Sequence, residues 1–213
     1  MAMLRKRSKY CPGRKYNTRP EKKIIYIFTE GEKTEVNYFK AKKNEIRRTN
    51  IQIKIKGTAN NTLSLVEYAM AVIANEGIVI NGSEDGDECW VVFDKDNFDN
   101  FDEAIIKASQ NGLRVAYSNE CFELWFFLHF CLITAGIGRQ DYMKKLDNKL
   151  KKLGSDGYKK NSLTMYSLIK NLEVDAINNA RYLLDSYPLK ISYSKKNPST
   201  TVHLLVERLN KFK

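Results

Sequence analysis

Trp90-Val-Val-Phe-Asp94-Lys-Asp96-Asn-Phe98 is the stretch that decides how this chain is read. An apolar run of strand character ends abruptly in two carboxylates one residue apart. Residues i and i+2 of a strand point to the same side. If extended pairing persists to the end of the run, Asp94 and Asp96 project together while Lys95 points away. Two carboxylates this close repel each other, so one takes a proton or a cation sits between them. Upstream, Ile24-Ile-Tyr-Ile-Phe28 is a second apolar run of strand length. It also ends in acids, in Thr29-Glu30-Gly31-Glu32-Lys33-Thr34-Glu35. The functional question is whether the two strand ends meet.

The elements around these two runs answer in part. Val36, Phe39, Lys43 and Ile46 mark one face of a helix that Thr34 opens and that ends near Arg48. Ile51-Gln-Ile-Lys-Ile55 alternates with period two and reads as a half-buried strand. Thr62 is expected to cap a helix through Asn75, and Gly82–Glu88 reads as an acidic surface loop. Asp99 or a neighbour caps a helix that carries Phe101, Ala104, Ile105 and Ala108 and stops at Asn111-Gly112. Leu113–Tyr117 is a fourth strand. The alternation of strands and helices predicts the α/β class, a mainly parallel sheet of about four strands with helices on both faces. After Ser118 the chain changes character. An apolar helix is expected to run to about Leu132, and Arg139–Leu153 is amphipathic and basic. Leu163–Leu184 is helical, in one or two pieces. Ser199 or Thr200 caps a last helix with Val202, Leu205, Val206 and Leu209. We therefore expect a basic arm at 1–22 and one domain at 23–213. Within it, an α/β core spans 23–120 and a helical extension packed on the sheet spans 121–213.

Charge is distributed in keeping with that division. The net charge of +11 hides a basic segment 1–23, with nine Lys/Arg against one Glu, and an acidic segment 24–138, with eleven against seventeen Asp/Glu. Residues 139–170 are basic again. Such a layout suits a polyanion held by the flanks and a metal held by the centre. A solvated basic arm with no specific ligand is the plainer reading of 1–22. Cys11, Cys89, Cys121 and Cys131 show no C-x-x-C or zinc spacing, which points to a reducing compartment and to buried thiols at Cys89 and Cys121. The N-terminus lacks the apolar core of a signal peptide, and Leu124–Ile137 is too short to span a bilayer. These features predict a soluble, cytoplasmic protein with no membrane association.

In parallel sheets the ligand crevice lies at the carboxyl ends of the strands. If the first and third strands are neighbours, Glu30, Asp94 and Asp96 converge there. Mg²⁺ takes oxygen ligands, commonly one or two carboxylates plus waters and a substrate phosphate. A metal so held stabilises charge on a phosphodiester and lowers the pKa of an attacking water. Glu30, Glu32 or Glu35 is then available as base or second-metal ligand, and Lys33 and Lys95 can neutralise phosphate. The competing reading is an acidic loop that merely favours the N-terminus of the next helix. A calcium loop of the EF-hand type fits worse: counted from Asp94, its sixth position is Asp99 rather than Gly and its twelfth is Ile105 rather than Glu.

Four runs, taken in order, resemble the RloB-like family. They are Phe28-Thr-Glu-Gly-Glu-Lys-Thr-Glu-Val-Asn-Tyr-Phe39, Val91-Val-Phe-Asp-Lys-Asp-Asn-Phe98, Ala116-Tyr-Ser-Asn-Glu-Cys-Phe-Glu-Leu-Trp125 with Leu128-His-Phe130, and Asn197-Pro-Ser-Thr-Thr-Val202. The resemblance implies a Toprim-like fold, the metal-dependent catalytic domain of topoisomerases, primases and nucleases of the overcoming-lysogenization-defect type. It implies a Mg²⁺- or Mn²⁺-dependent nuclease acting on DNA or RNA as effector of a prokaryotic anti-phage, abortive-infection system. An ABC- or AAA-type ATPase partner is implied as well; a homo-oligomer is allowed, and the sequence does not give the oligomeric state. Carried over, the family glutamate falls on Glu30 and its Asp-x-Asp pair on Asp94 and Asp96, as metal ligands and catalytic residues. One departure is Glu120, where the family run has proline. The contrasting expectation is a non-catalytic subunit that uses the same fold to bind an ATPase or nucleic acid.

The remaining motif residues each allow two roles. Ser118 and Asn119 contact phosphate or metal-bound water, or cap the next helix. Glu123, on an apolar helix, joins the metal site or needs a basic partner. His129, six residues away and on another face, suits that partnership poorly and reads as a core histidine. Tyr158, Lys159 and Lys160 grip a phosphate backbone or form a solvated loop. Ser199 and Thr200 bind phosphate at a helix start or simply cap it. Some of the twelve tyrosines can stack on bases, but most are expected to pack.

Overall fold

A computed structural model describes residues 22–48, 50–80, 86–96 and 99–213. The basic arm and most of the acidic 82–88 loop lie outside those residues, as do Asn97 and Phe98. Four strands form the sheet: β1 (Lys23–Thr29), β2 (Ile51–Gly57), β3 (Glu88–Asp94) and β4 (Arg114–Ser118). All pairings are parallel and the order is β2-β1-β3-β4. The strands expected to be neighbours are neighbours: Thr29 pairs with Val92, and Asp94 with Ser118.

The order follows from right-handed crossovers. The chain leaves β1 through α1 (Thr34–Lys43) to one side, then returns across β1 through α2 (Thr62–Asn75) to reach β3. It continues through α3 (Phe101–Gln110) to β4. Reversing direction at β1 places α1 on one face and α2 and α3 on the other. The topological switch point thus lies between β1 and β3, where a crevice opens beyond the strand ends.

Each face buries its own core. Tyr26, Phe28, Val91 and Phe93 pack with Leu65 and Val66 of α2 and with Phe101 and Ala104 of α3. Ile25, Ile27, Trp90 and Val92 alternate with them and face α1 and the C-terminal helices. Those helices are α4 (Glu123–Leu128), α5 (Arg139–Lys152), α6 (Met165–Ile169), α7 (Glu173–Asp185) and α8 (Val202–Asn210). They complete the layer that α1 begins. Parity then places Asp94, in step with Trp90 and Val92, on the face covered by α1 and α4.

Several boundaries differ from expectation. The apolar helix expected to reach Leu132 is six residues long, all buried, and ends at Leu128. Beyond it Phe130, Cys131, Ile133 and Ile137 pack against the same core from irregular backbone. Burial on every side removes the periodicity that would have marked the end. Asn61, rather than Thr62, caps α2, its side chain accepting from the Ser64 N–H at 3.1 Å. The 163–184 segment breaks into α6, a 3₁₀ turn at Lys170–Leu172, and α7. Cys89 and Cys121 are fully buried, as expected. Among the described residues no helix is long and apolar enough to cross a membrane.

Candidate active site

β1 and β3 end side by side because they are adjacent and parallel, so Glu30 and Asp94 meet by construction. The Glu30 N–H donates to Val92 O at 2.9 Å, and the Asp94 N–H donates to Glu30 Oε2 at 3.2 Å. The loop after β1 turns tightly against β2. A Cβ on Gly57 would stand 2.6 Å from the Glu32 Cα, and one on Gly31 would run into the Glu35 carboxylate. Both glycines therefore let the 30–35 segment close over the strand ends.

The result is a cavity of about 280 Å³, lined among others by Glu30, Glu35, Asp94, Asp96 and Glu123. Glu32, Lys33, Arg139, Lys160 and Asn161 also line it. Glu35 enters from the first turn of α1 and Glu123 from the first residue of α4. Glu123 is 3% exposed, and its Oε1 accepts from the Tyr158 hydroxyl at 2.7 Å. Tyr158 sits in the 153–164 loop, which Asn161 fastens to α1: its carbonyl accepts from Asn37 Nδ2 at 3.0 Å.

So many carboxylates in a half-closed space carry an electrostatic cost. Burial, with Asp96 and Glu35 adding, pushes Glu30 up to about 7 against the bond from the Asp94 N–H. Asp94 is pushed well above the usual carboxylate range by burial and then by Glu35, Glu123 and Glu30. Glu35 is raised by burial and by Glu123, with Lys160 and Arg139 opposing. Each shift says that the site bears its negative charge at a cost, chiefly of burial, which positive charge relieves. Part of it comes from Arg139, whose guanidinium hydrogen-bonds Asp96 and stands 3.8 Å from Asp94 Oδ2.

The donor set suits a hard cation, since carboxylate oxygen is the lining's ionisable donor and the guanidinium already takes a cation's place on Asp94 and Asp96. As the side chains stand, no group of three or more His, Cys, Asp or Glu among the described residues is closed around an ion position. Asp94 and Asp96 with Glu30 are the residues that would hold one, with Glu35 and Glu123 next to them.

Not every sequence candidate reaches this cavity. Ser118 and Asn119 are buried and spent on a different task. The Ser118 hydroxyl bonds that of Thr200 at 3.1 Å, and residues 118 and 200 form an antiparallel bridge. The Asn119 amide donates to the carbonyls of Tyr193, Ser194 and Lys196. Ser199 donates to Lys196 O at 2.7 Å, and Thr200 accepts from the Val202 N–H at 3.3 Å. These four residues pin the 193–201 strap to the free edge of β4. Lys95 does not line the cavity, and Lys159 pairs with Asp156 in solvent. His129 is a core histidine, 2% exposed, with Nδ1 bonded to Trp125 O at 2.9 Å and its pKa lowered to about 4 by burial.

Arg139 is the residue that sequence reasoning missed. It is the first residue of α5 and looks like any other cation of that basic helix; its distance from Asp94 along the chain hid the pairing. Glu120 gains a meaning in the same place. Its φ is +89°, a value closed to the proline expected there. Its carbonyl accepts from the Arg139 guanidinium at 3.2 Å, and its Oε1 from the Arg139 N–H at 3.3 Å.

Searches of curated proteins and of solved structures returned no match. The model of one family, described as RloB-like protein, matches residues 25–209. That span takes in β1 from Ile25 on, the other three strands, the carboxylate cavity and the strap, and the chain belongs to the RloB-like family.

Proposed function

We propose that this protein is a divalent-metal-dependent phosphodiesterase that cleaves nucleic acid, working as the effector of an anti-phage defence system. One observation carries the reading: Glu30, Glu35, Asp94, Asp96 and Glu123 converge in one cavity at the switch point of a parallel sheet. Mg²⁺ or Mn²⁺ bound to such carboxylates supplies a Lewis acid for the phosphodiester and an acidified water. Asp94, Asp96 and Glu30 hold the cation. Glu30 is also a candidate base for the attacking water. Lys33 and Lys160 at the cavity wall balance the phosphate charge, and the basic face of α5 offers further contacts to a polyanion. A free nuclease would damage its host, so low activity alone and release by an ATPase partner belong to the same proposal.

A second reading is favoured by the Arg139 guanidinium already seated on Asp94 and Asp96. It is a non-catalytic subunit that binds an ATPase or nucleic acid through the same fold. Cleavage of a panel of DNA, RNA and tRNA with Mg²⁺ or Mn²⁺, wild type beside Asp94→Asn, separates the two. The proposal expects weak cleavage by the wild type alone and its loss, by about 100-fold or more, in the variant. No cleavage, with Mn²⁺ bound by the wild type alone, means an enzyme awaiting its partner. Neither cleavage nor Mn²⁺ binding leaves the interaction subunit.

A further inference from the structure

Arg139 sits on the pair of carboxylates that a metal would need. Its guanidinium hydrogen-bonds Asp96 and lies 3.8 Å from Asp94 Oδ2. The arrangement is built rather than incidental, because the chain spends backbone strain on it. Glu120 adopts φ +89°, a conformation that a non-glycine residue keeps only where its surroundings impose it. Here they do. On one side Asn119, 1% exposed, is held by three strap carbonyls, and its N–H donates to Ser199 O at 2.8 Å. On the other, Cys121 and Phe122 are buried in the core. The twisted turn aims the Glu120 carbonyl at the guanidinium and the Glu120 carboxylate at the Arg139 N–H. That N–H belongs to the first turn of α5, which has no side-chain cap at Gly138. Glu120 therefore anchors both ends of Arg139, and the planar fork can reach Asp96 and Asp94 from one side.

The side chain also has a way out. Arg139 is 37% exposed and Asp96 35%, whereas Asp94 is 16% exposed. Arg139 and Asp96 are thus comparably open to solvent, and Asp94 is the more enclosed carboxylate.

We propose that Arg139 is the resident counter-cation of Asp94 and Asp96, and that a divalent cation binds by displacing it. The inference rests on reading these aspartates as metal ligands. It adds that the chain's metal affinity is set by competition with its own guanidinium, with Glu120 as the positioning residue that keeps the competitor in place. Metal loading and release of Arg139 are then one event. Anything that draws Arg139 away, a phosphate group included, tightens the hold on metal.

The test is Mn²⁺ titration of the full chain, followed by calorimetry and by the paramagnetic resonance of free Mn²⁺, at one pH. Wild type is compared with Arg139→Gln, Arg139→Lys and Lys160→Gln, each checked for folding by circular dichroism. Competition predicts that Arg139→Gln binds Mn²⁺ about ten-fold tighter than wild type. Arg139→Lys, which keeps the charge but loses the fork, falls between them. Lys160 lines the same cavity without a hydrogen bond to the aspartate pair, so Lys160→Gln reports the general field and should gain about three-fold or less. Equal affinities for wild type and Arg139→Gln, or weaker binding by the variant, overturn the inference while leaving the metal reading intact. So does an equal gain in Lys160→Gln. If Arg139→Gln fails to fold, Arg139→Lys decides: unchanged or weaker binding overturns the inference. Absence of Mn²⁺ binding in every protein overturns both the inference and the metal reading.

Discussion

At the scale of single residues, Glu30 shows what the site costs the fold. Its carboxyl is pushed up to about 7, chiefly by burial. An acid whose folded pKa lies above its unfolded value keeps its proton longer in the native state. Between about 4.5 and 7 the native state binds more protons, so stability falls as pH rises through that window. Glu30→Gln removes the effect. The variant should match wild type in thermal melts near pH 4.5. At pH 8 without metal it should exceed wild type by on the order of 1–2 kcal/mol, after allowance for solvent screening. A variant that is no more stable at pH 8 than at pH 4.5, relative to wild type, would show that Glu30 is not strained. Glu30 and Asp94 were legible in the sequence because they close two apolar strands, whereas Asp96 lies beyond the end of β3, where strand parity does not place it. Arg139 was not, because its partner lies 43 residues away and only tertiary packing brings the two together.

At the scale of elements, α1 is tied to the C-terminal helices by a buried charge. Lys42 is fully buried, and its Nζ donates to Glu173 Oε2 at 2.6 Å and to Asn210 Oδ1 at 2.9 Å. Asn210 Nδ2 returns a bond to Glu173 Oε1 at 2.7 Å. One triad therefore joins α1, α7 and α8. Burial lowers Lys42 to about 8, with Glu173 opposing. Removing one partner strands the other charge in the interior, which costs about 3–5 kcal/mol, whereas replacing both by apolar groups can be neutral. Lys42→Met should thus lower stability by about that much in urea melts, and Lys42→Met with Glu173→Leu should recover most of it. A double variant as unstable as the single one would show that the triad does more than pair charges. α1 also carries Glu35 into the cavity, so the same triad sets the position of one carboxylate. The sequence located the start of α1 but carried the helix to about Arg48, past its end at Lys43, and offered no sign of the triad. Lys42 lies beside Lys40 and Lys43 in an ordinary-looking helical surface, and only the covering of α1 by α6, α7 and α8 turns it inward.

At the scale of the whole molecule, the sheet and the C-terminal helices depend on each other. The α2–α3 face is complete by residue 118. The other face is not: Ile25, Ile27, Trp90, Val92 and Ala116 rely on α4, α5, α7 and α8 for cover. Glu88, 3% exposed at the start of β3, takes one of its ion partners, Arg208, from α8, beside Lys23 and Arg114 of the sheet. Two carboxylates of the cavity wall also depend on the later segments, since Glu123 comes from α4 and Asp96 is paired by α5. The strap closes the free edge of β4 through Thr200, which protects an otherwise exposed strand from pairing with another chain. The expected α/β core of 23–120 was recognisable from its alternating elements, yet those residues make only one finished layer. A fragment ending at residue 120 should accordingly fail to fold. Its uncovered face exposes the side chains just named, far beyond the scattered apolar residues that a monomer tolerates. Expressed alone it should aggregate or bind a hydrophobic dye strongly, with no cooperative melt. Adding residues 121–213 as a separate chain should restore cooperativity if the second layer is what is missing. A cooperative melt for the 23–120 fragment by itself would show that the helices are an accessory and that the carboxylate cavity belongs to the sheet alone.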